Sequence, residues 1–362
     1  MGDWQPQVVS IEKVEKHPDA DALDIATVLG DYPVIVKRDE YKVGDLAGYL
    51  PIDTIVPDTN QFYFLCPKTY EKYEEDGELK QRQIGMKYEL GSVPEKNRIL
   101  KAKRIRNIYS QGMLVSITDD VSYANLNIGD SIVDILQLKK HEEEEEDNLP
   151  NVKKRRADQA SPPKNWIIPF YDIQGLRKYV SCLGEDEEII LLEKIHGSSS
   201  SFCHDGEAFW IKSRNLYKKN DPEDMWVDIA IRYDLANKLA EFPMHVFYGE
   251  IYGQIKGFRY DTEMNTKIRF FDILDVKTMQ YLDYDAFVAI IQKLELPMVP
   301  FLYRGKWTDK QTMYAFAEGK STLNEKHIRE GFVLRTATER YEPRLGSRMQ
   351  VKLISEQYNL KK

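Results

Sequence analysis

Between positions 1 and 140 the apolar residues come in short runs that alternate with polar ones. VVSIEKVEKH, DALDIATVLG, YPVIVK, LAGYLPI, RILKAKRI, GMLVSI and SIVDIL are rich in β-formers and separated by Gly, Asp, Asn and Pro. Short period-two runs between turn formers predict strands with little helix, and several of them in one domain predict a small barrel. From position 164 the pattern changes. EEIILLEKI, AFWIK, HVFYGEIYG, IRFFDIL and EGFVLR read as strands, whereas WVDIAIRYDLANKLAEF, DYDAFVAIIQKLEL and the stretch around KQTMYAFAEG carry helical spacing. The expected fold class is α+β overall: an all-β barrel over 1–140, then an α+β domain over 164–362.

The break between the two patterns lies at 141–163. HEEEEEDN is followed by NLPNVKKRRADQASPPK, which is charged, proline-bearing and free of apolar periodicity. Such a stretch buries too little surface to offset the entropy of ordering it, so an exposed linker is expected. KKRR at Lys153–Arg156 reads as solvated linker, as a nuclear address or as a phosphate-gripping patch. The acidic run also changes how the charge is read. A net charge of −8 looks awkward for a protein that meets nucleic acid, but Glu142–Asp147 contribute six negative charges in one run. Local basic stretches then decide phosphate contact.

A hydrophobic fraction of 42% with 30% charged residues is that of a globular protein, and 362 residues make two ordinary domains or one large one. No apolar stretch approaches the roughly 18–20 residues that span a bilayer. MGDWQPQVVS lacks the basic flank and apolar run of a signal peptide. An intracellular protein without membrane contact is expected, cytoplasmic unless KKRR acts as an address. Cys66, Cys182 and Cys203 lie far apart and form no CxxC pair, so neither a disulfide framework nor a zinc site is expected.

Chemistry enters with LLEKIHGSSSSF. A lysine directly after an apolar strand is costly to bury unless it is paired or loses its proton, and a lysine so placed is a nucleophile. Gly197 would allow close backbone approach to a phosphate, and the serines after it offer hydroxyl donors. EKIHG resembles the signature of the covalent nucleotidyltransferases, in the Lys-x-His-Gly form of nick-sealing RNA ligases. SRN (Ser213–Asn215), FYGEIYG (Phe247–Gly253), FFDIL (Phe270–Leu274), EGFVLR (Glu330–Arg335) and MQVKLIS (Met349–Ser355) then follow in the order of that family's motifs. In the first domain, HPDADALDIATV (His17–Val28) and AKRIRNIYSQGMLVSI (Ala102–Ile117) resemble the strands of tRNA-binding OB modules.

The resemblance implies an ATP-dependent RNA ligase whose Lys194 attacks the ATP α-phosphorus. Lys352 would supply a cation to the phosphate, and Arg214 would hold the phosphate of ATP or of the RNA 5′ end. Glu330 and Glu250 would hold Mg2+ or Mn2+. Glu193, Ile195, Gly197 and Phe271 would line the nucleotide site, with Phe271 stacking on adenine and Glu193 accepting from its amino group. Asp272 beside that ring would position it. The family often has Lys-x-Lys where this chain has Gln350-Val351-Lys352, which leaves Gln350 or Arg348 to replace a lysine. Where one branch has an asparagine near Ser199 this chain has only serines, so Ser198, Ser199 or another residue would hold the RNA 5′-phosphate. LRKY at Leu176–Tyr179 is either a grip on pyrophosphate or a surface charge pair.

Lys101, Lys103, Arg104 and Arg106 beside Tyr109 offer the first domain a backbone grip and a stacking ring for RNA. The expected substrate is nicked or base-paired RNA with 3′-OH and 5′-phosphate ends, the expected protein a monomer. A DNA ligase or capping enzyme shares the lysyl-nucleotide chemistry but commonly carries an OB domain after the closing motif. Only ten residues follow Lys352 here. A tRNA-binding adaptor without catalysis would leave the ordered motifs unexplained.

Overall fold

The computed structural model describes residues 4–75, 78–117, 125–141, 160–255, 258–260 and 266–361. The acidic run and the KKRR of the linker lie outside those residues. The chain divides into two compact units, 1–143 and 144–361. No helix among the described residues is long and apolar enough to cross a membrane.

The first unit is built from short antiparallel strands. Strands β1 (Gln7–Ser10), β5 (Leu46–Leu50) and β6 (Met113–Ser116) form one sheet with β5 in the middle, and β2 (Lys13–Lys16), β3 (Leu23–Val28) and β4 (Tyr32–Lys37) form another. Neighbouring residues of one strand serve different cores, as the period of two requires. Val8 and Leu50 pack with Phe62 and Ile132, while Val9 and Tyr49 pack with Val28 and Val34. A long, charged hairpin, Lys68–Glu75 with Glu78–Met86, was not foreseen. Its KTYEKYEE strand is polar on both faces, so no apolar alternation marks it.

The basic segment of this unit forms a second hairpin, Lys103–Ile105 with Ile108–Ser110. Arg106 and Asn107 at its tip both have positive φ, 42° and 69°, which suits a two-residue turn between twisted strands. His17 ties the hairpin down. Asp19 N–H donates to its Nδ1 at 3.1 Å, so the opposite nitrogen, 3.1 Å from the Ile105 carbonyl, carries the proton and donates. Lys101, Lys103, Arg104 and Arg106 are exposed. Tyr109 is not: it is only 5% exposed. The expected stacking ring is therefore a core residue, because the hairpin turns that face inward.

The second unit contains two five-stranded sheets. One runs Gln174–Gly175, β14 (Gln350–Ile354), β13 (Gly331–Thr336), β7 (Glu188–Lys194) and β12 (Phe301–Lys306). The other runs β9 (Phe209–Ser213), β8 (Ser198–His204), β10 (His245–Tyr252), β11 (Lys267–Asp275) and Gln280–Tyr281. Ile190 and Leu192 of β7 join the core made by Phe202, Phe247 and Phe270 of the other sheet, while Ile189 and Leu191 face Met313 and Phe332. Helices α1 (Met225–Arg232) and α3 (Tyr284–Lys293) cover the first of these cores. The expected helix from Trp226 to Phe242 is interrupted at Asp234, whose φ of 53° starts a separate helix α2 (Leu235–Leu239). The short helices α4 (Lys310–Ala315) and α5 (Glu356–Lys361) complete the set used below.

Two glycines allow these strands to meet. A Cβ on Gly331, whose φ is +151°, would lie 2.0 Å from the Leu353 carbonyl oxygen, and one on Gly197 would lie 2.1 Å from that of Ile251. Both obstacles are backbone and cannot swing aside. Gly331→Ala is expected to destabilise the protein by about 2 kcal/mol or more, read as a lower denaturation midpoint in urea.

Candidate active site

Lys194 ends β7 directly opposite Gly331, which begins β13 and is itself paired with Ile354 of β14. That register brings Glu330, the residue before Gly331, up to the amine. Lys194 Nζ donates to Glu330 Oε1 at 2.6 Å. The lysine side chain keeps 26% exposure and the glutamate 10%, so the amine is reachable but mostly out of water. The second carboxylate oxygen, Glu330 Oε2, is buried and has no hydrogen-bond partner among the described residues. A buried acceptor left so is costly unless something outside the chain supplies the contact.

Glu250 stands on β10 opposite Ser199. Loss of water raises its carboxyl from the ordinary 4.5 to about 8. The Glu330 charge pushes the same way, and Lys194 and Arg214 pull against it. Lys194, Glu330 and Arg214, from motifs far apart in sequence, thus all act on Glu250. Arg214 is exposed, its guanidinium 5.0 Å from the centre of the Phe170 ring. Ser198 and Ser199 are half-buried in a regular strand rather than a loop. Gly197 is required by the close pass of Ile251, a structural reason that sequence reading had assigned to phosphate approach.

The period of two sorts the remaining residues. Paired residues share a face, so Lys194 with Gly331, and Leu192 with Val333 and Lys352, lie on one side of the sheet. Lys352 is therefore on the nucleophile's face. Glu193 is on the other. Its carboxylate accepts from Ser321 Oγ at 2.5 Å and Thr322 N–H at 2.9 Å, with Arg329 Nε 3.7 Å away. Those bonds occupy the side chain that the resemblance gave to the adenine amino group. Ile195 is buried in the core. Arg177 of LRKY lies under the surface, 4.9 Å from the Tyr314 ring centre and 3.4 Å from Glu356, which favours the reading as a structural charge pair.

The sequence comparisons fit this geometry. The family model described as RNA ligase matches residues 187–354, the stretch that supplies Lys194, Arg214, Glu250, Glu330 and Lys352. Residues 187–354 belong to the RNA ligase family. A second family model, an OB-fold domain, matches residues 6–93, so the barrel expected for the first unit is an OB fold. Among solved structures, a Naegleria gruberi RNA ligase with PPi matches at TM-score 0.75 and 20% identity, covering 99% of this chain and 98% of that one. A lysine-to-alanine mutant of that ligase with ATP and Mn matches at TM-score 0.76 and 20% identity over 99% of each chain. A lysine-to-methionine mutant with AMP and Mn gives 0.75 and 20%, over 99% and 98%. At that identity the likeness shows a shared fold along both units. A search of curated proteins returned no match.

Within the ligase unit, Phe271 is the extra residue of a β-bulge. Tyr248 faces Asp272 and Gly249 faces Phe270, which leaves Phe271 unpaired between them. The bulge turns its ring towards Tyr171, with centroids 5.1 Å apart. Beside it Asp272, fully buried, pairs with Arg335 at 3.2 Å and Arg348 at 2.5 Å, and both arginines also meet Glu339. Tyr171 stays protonated, because burial and the Asp272 charge raise its phenol well above the usual value. Its hydroxyl reaches Asp272 Oδ2 at 2.6 Å and Gln350 Oε1 at 2.8 Å. This network answers the question of the missing lysine. Arg348 is committed to two carboxylates and Gln350 to Tyr171, so neither stands in as a phosphate cation. Tyr171 itself was missed, since nothing marks a lone tyrosine upstream of the motifs.

The Glu250 shift sets a stability slope. The unfolded chain releases that proton near 4.5 and the folded chain near 8, so between those values the folded state binds more protons and stability falls as pH rises. In metal- and nucleotide-free protein, Glu250→Gln should remove that loss. Melting temperatures at pH 6 and pH 9 should draw together in the variant relative to wild type.

Proposed function

We propose that this chain is an ATP-dependent ligase that joins the 3′-OH and 5′-phosphate ends of nicked or base-paired RNA, acting as a monomer through a lysyl-AMP on Lys194. The observation that carries this reading is the Lys194–Glu330 pair, formed at 2.6 Å by two motifs of the RNA ligase family and mostly buried, with the amine still reachable. In the first step the Lys194 Nζ lone pair forms a bond to the ATP α-phosphorus, the bond to the bridging oxygen breaks, and pyrophosphate leaves with its electrons. The amine must give up a proton, and Glu330 Oε1 is the carboxylate oxygen in contact with it. AMP then passes to the RNA 5′-phosphate, and the 3′-OH displaces it. Lys352, on the same face of the sheet, and exposed Arg214 are the cations suited to phosphate charge.

The residues present fit a divalent cation. Glu330 Oε2 is a buried acceptor without a partner among the described residues, and Glu250 lies within its electrostatic reach. No group of three metal-ligating side chains occurs among the described residues. Two carboxylates with substrate phosphates and water completing the shell is the usual arrangement for Mg2+. When bound, Mg2+ or Mn2+ would neutralise charge developing on the phosphate oxygens. The first unit is read as the RNA grip, through Lys101, Lys103, Arg104 and Arg106 on the exposed hairpin. The absence of disulfides among the three free cysteines supports an intracellular setting.

Two experiments test this. Incubation with α-labelled ATP and Mg2+ should label wild type and leave Lys194→Ala unlabelled, while the variant still seals a pre-adenylylated strand. Label retained by Lys194→Ala, or transferred from GTP in preference to ATP, would overturn the assignment. Charge reversal at Lys103 and Arg104 should leave self-labelling intact and weaken sealing of nicked RNA, with a shallower dependence of binding on salt. Unchanged sealing with an unchanged salt slope would remove the barrel from RNA binding.

A further inference from the structure

Residues 355–361 lie beyond the stretch that matches the RNA ligase family, yet they touch Glu330 and also His196, which lies two residues after Lys194. Ser355 N–H donates to the Glu330 carbonyl at 2.8 Å, extending the β14 ladder by one bond. Its hydroxyl donates to Glu318 Oε2 at 2.9 Å and accepts from Tyr358 N–H at 3.1 Å, so Ser355 caps α5. Glu318 also receives the Glu356 N–H at 2.7 Å. A helix of this length has no stability of its own. Its bonds to Glu318 and the Glu356–Arg177 pair hold it in place.

What α5 presents is Tyr358. Its hydroxyl meets His196 Nδ1 at 2.5 Å, with the two rings 6.1 Å apart. His196 is the middle residue of the Ile195–Gly197 turn that carries the chain from Lys194 in one sheet to Ser198 in the other. Ile195 is fixed by burial and Gly197 by the pass of Ile251. The His196 backbone N–H donates to the Tyr260 hydroxyl at 3.1 Å. Its imidazole is fixed by Tyr358.

We propose that α5 is a positioning element for the nucleophile, and that Tyr358, acting through His196, is a positioning residue for attack by Lys194. The helix holds Glu330 through Ser355 and the turn after Lys194 through Tyr358, so amine and carboxylate are set from both sides by one short segment. Tyr358 touches no reacting atom in this reading. It limits how far the Lys194 backbone can drift, and small displacements of a reacting group cost rate rather than substrate binding.

The proposal rests on Lys194 being the adenylylated residue. In a label-transfer assay with α-labelled ATP, Tyr358→Phe should lower the maximal rate by about tenfold, with the KM for ATP within about twofold of wild type. Sealing of pre-adenylylated RNA, which bypasses the attack, should stay close to wild type and shows that the variant is folded. His196→Ala should give a similar deficit, and the double variant should be no slower than the slower single one, since both remove one contact. An unchanged labelling rate, additive losses in the double variant, or equal loss of both activities would overturn the proposal. Absence of label on wild type would instead overturn the assignment of Lys194 itself, which keeps the two failures apart.

Discussion

The catalytic unit depends on one strand passing where no side chain fits. β13 runs between β7 and β14 with its first residue, Gly331, close enough to Leu353 that a methyl group would overlap the carbonyl oxygen. That passage sets the register in which Lys194 faces Gly331, and the register delivers Glu330 to the amine. A shift of one residue would move every side chain of the strand to the opposite face. Lys194 meets Glu330, and Lys352 shares the sheet face of Lys194, because backbone packing holds this alignment.

The elements that carry this site were legible in the sequence where burial is one- or two-sided and regular. EIILLEK, HVFYGEIY and GFVLRT are strands of near-continuous apolar residues that carry charged groups at their ends or within them, Lys194 and Glu250 among them. The pattern failed where polar residues do structural work. SSSSFCH is a strand despite its four serines, and the buried Ser200 hydroxyl donates to the Gly249 carbonyl at 2.8 Å. KTYEKYEE is a strand with polar residues on both faces, so no period shows. Glu193 adjoins the nucleophile in sequence and is turned away from it in space by strand geometry. Tyr109 looked exposed beside four cations and is buried, because an aromatic on a hairpin serves whichever side the hairpin packs.

A second concentration of charge lies apart from the Lys194 pair and has a different character. Asp272, Arg335, Arg348 and Glu339 share contacts in surroundings largely closed to water, with Arg335 and Asp272 fully buried. Asp272 and Glu339 each pair with both arginines. Such a set holds its geometry because removing one member strands its partner, at a cost of about 3–5 kcal/mol. Arg335 lies on one sheet and Asp272 on the other, so the network ties the two sheets beside the Phe271 bulge. The Lys194–Glu330 pair is a simpler case, two groups of which the amine keeps some exposure and Glu330 Oε2 has no hydrogen-bond partner among the described residues.

Tyr171 stands before the segment that matches the ligase family and Tyr358 after it, yet each reaches into the interior of that segment. Modular borders drawn from sequence similarity therefore cut through working contacts in this chain. Recombination that carried only residues 187–354 into a new protein would leave Asp272, Gln350 and His196 facing gaps once filled by phenols. The structural module is the longer stretch from the Tyr171 segment through α5.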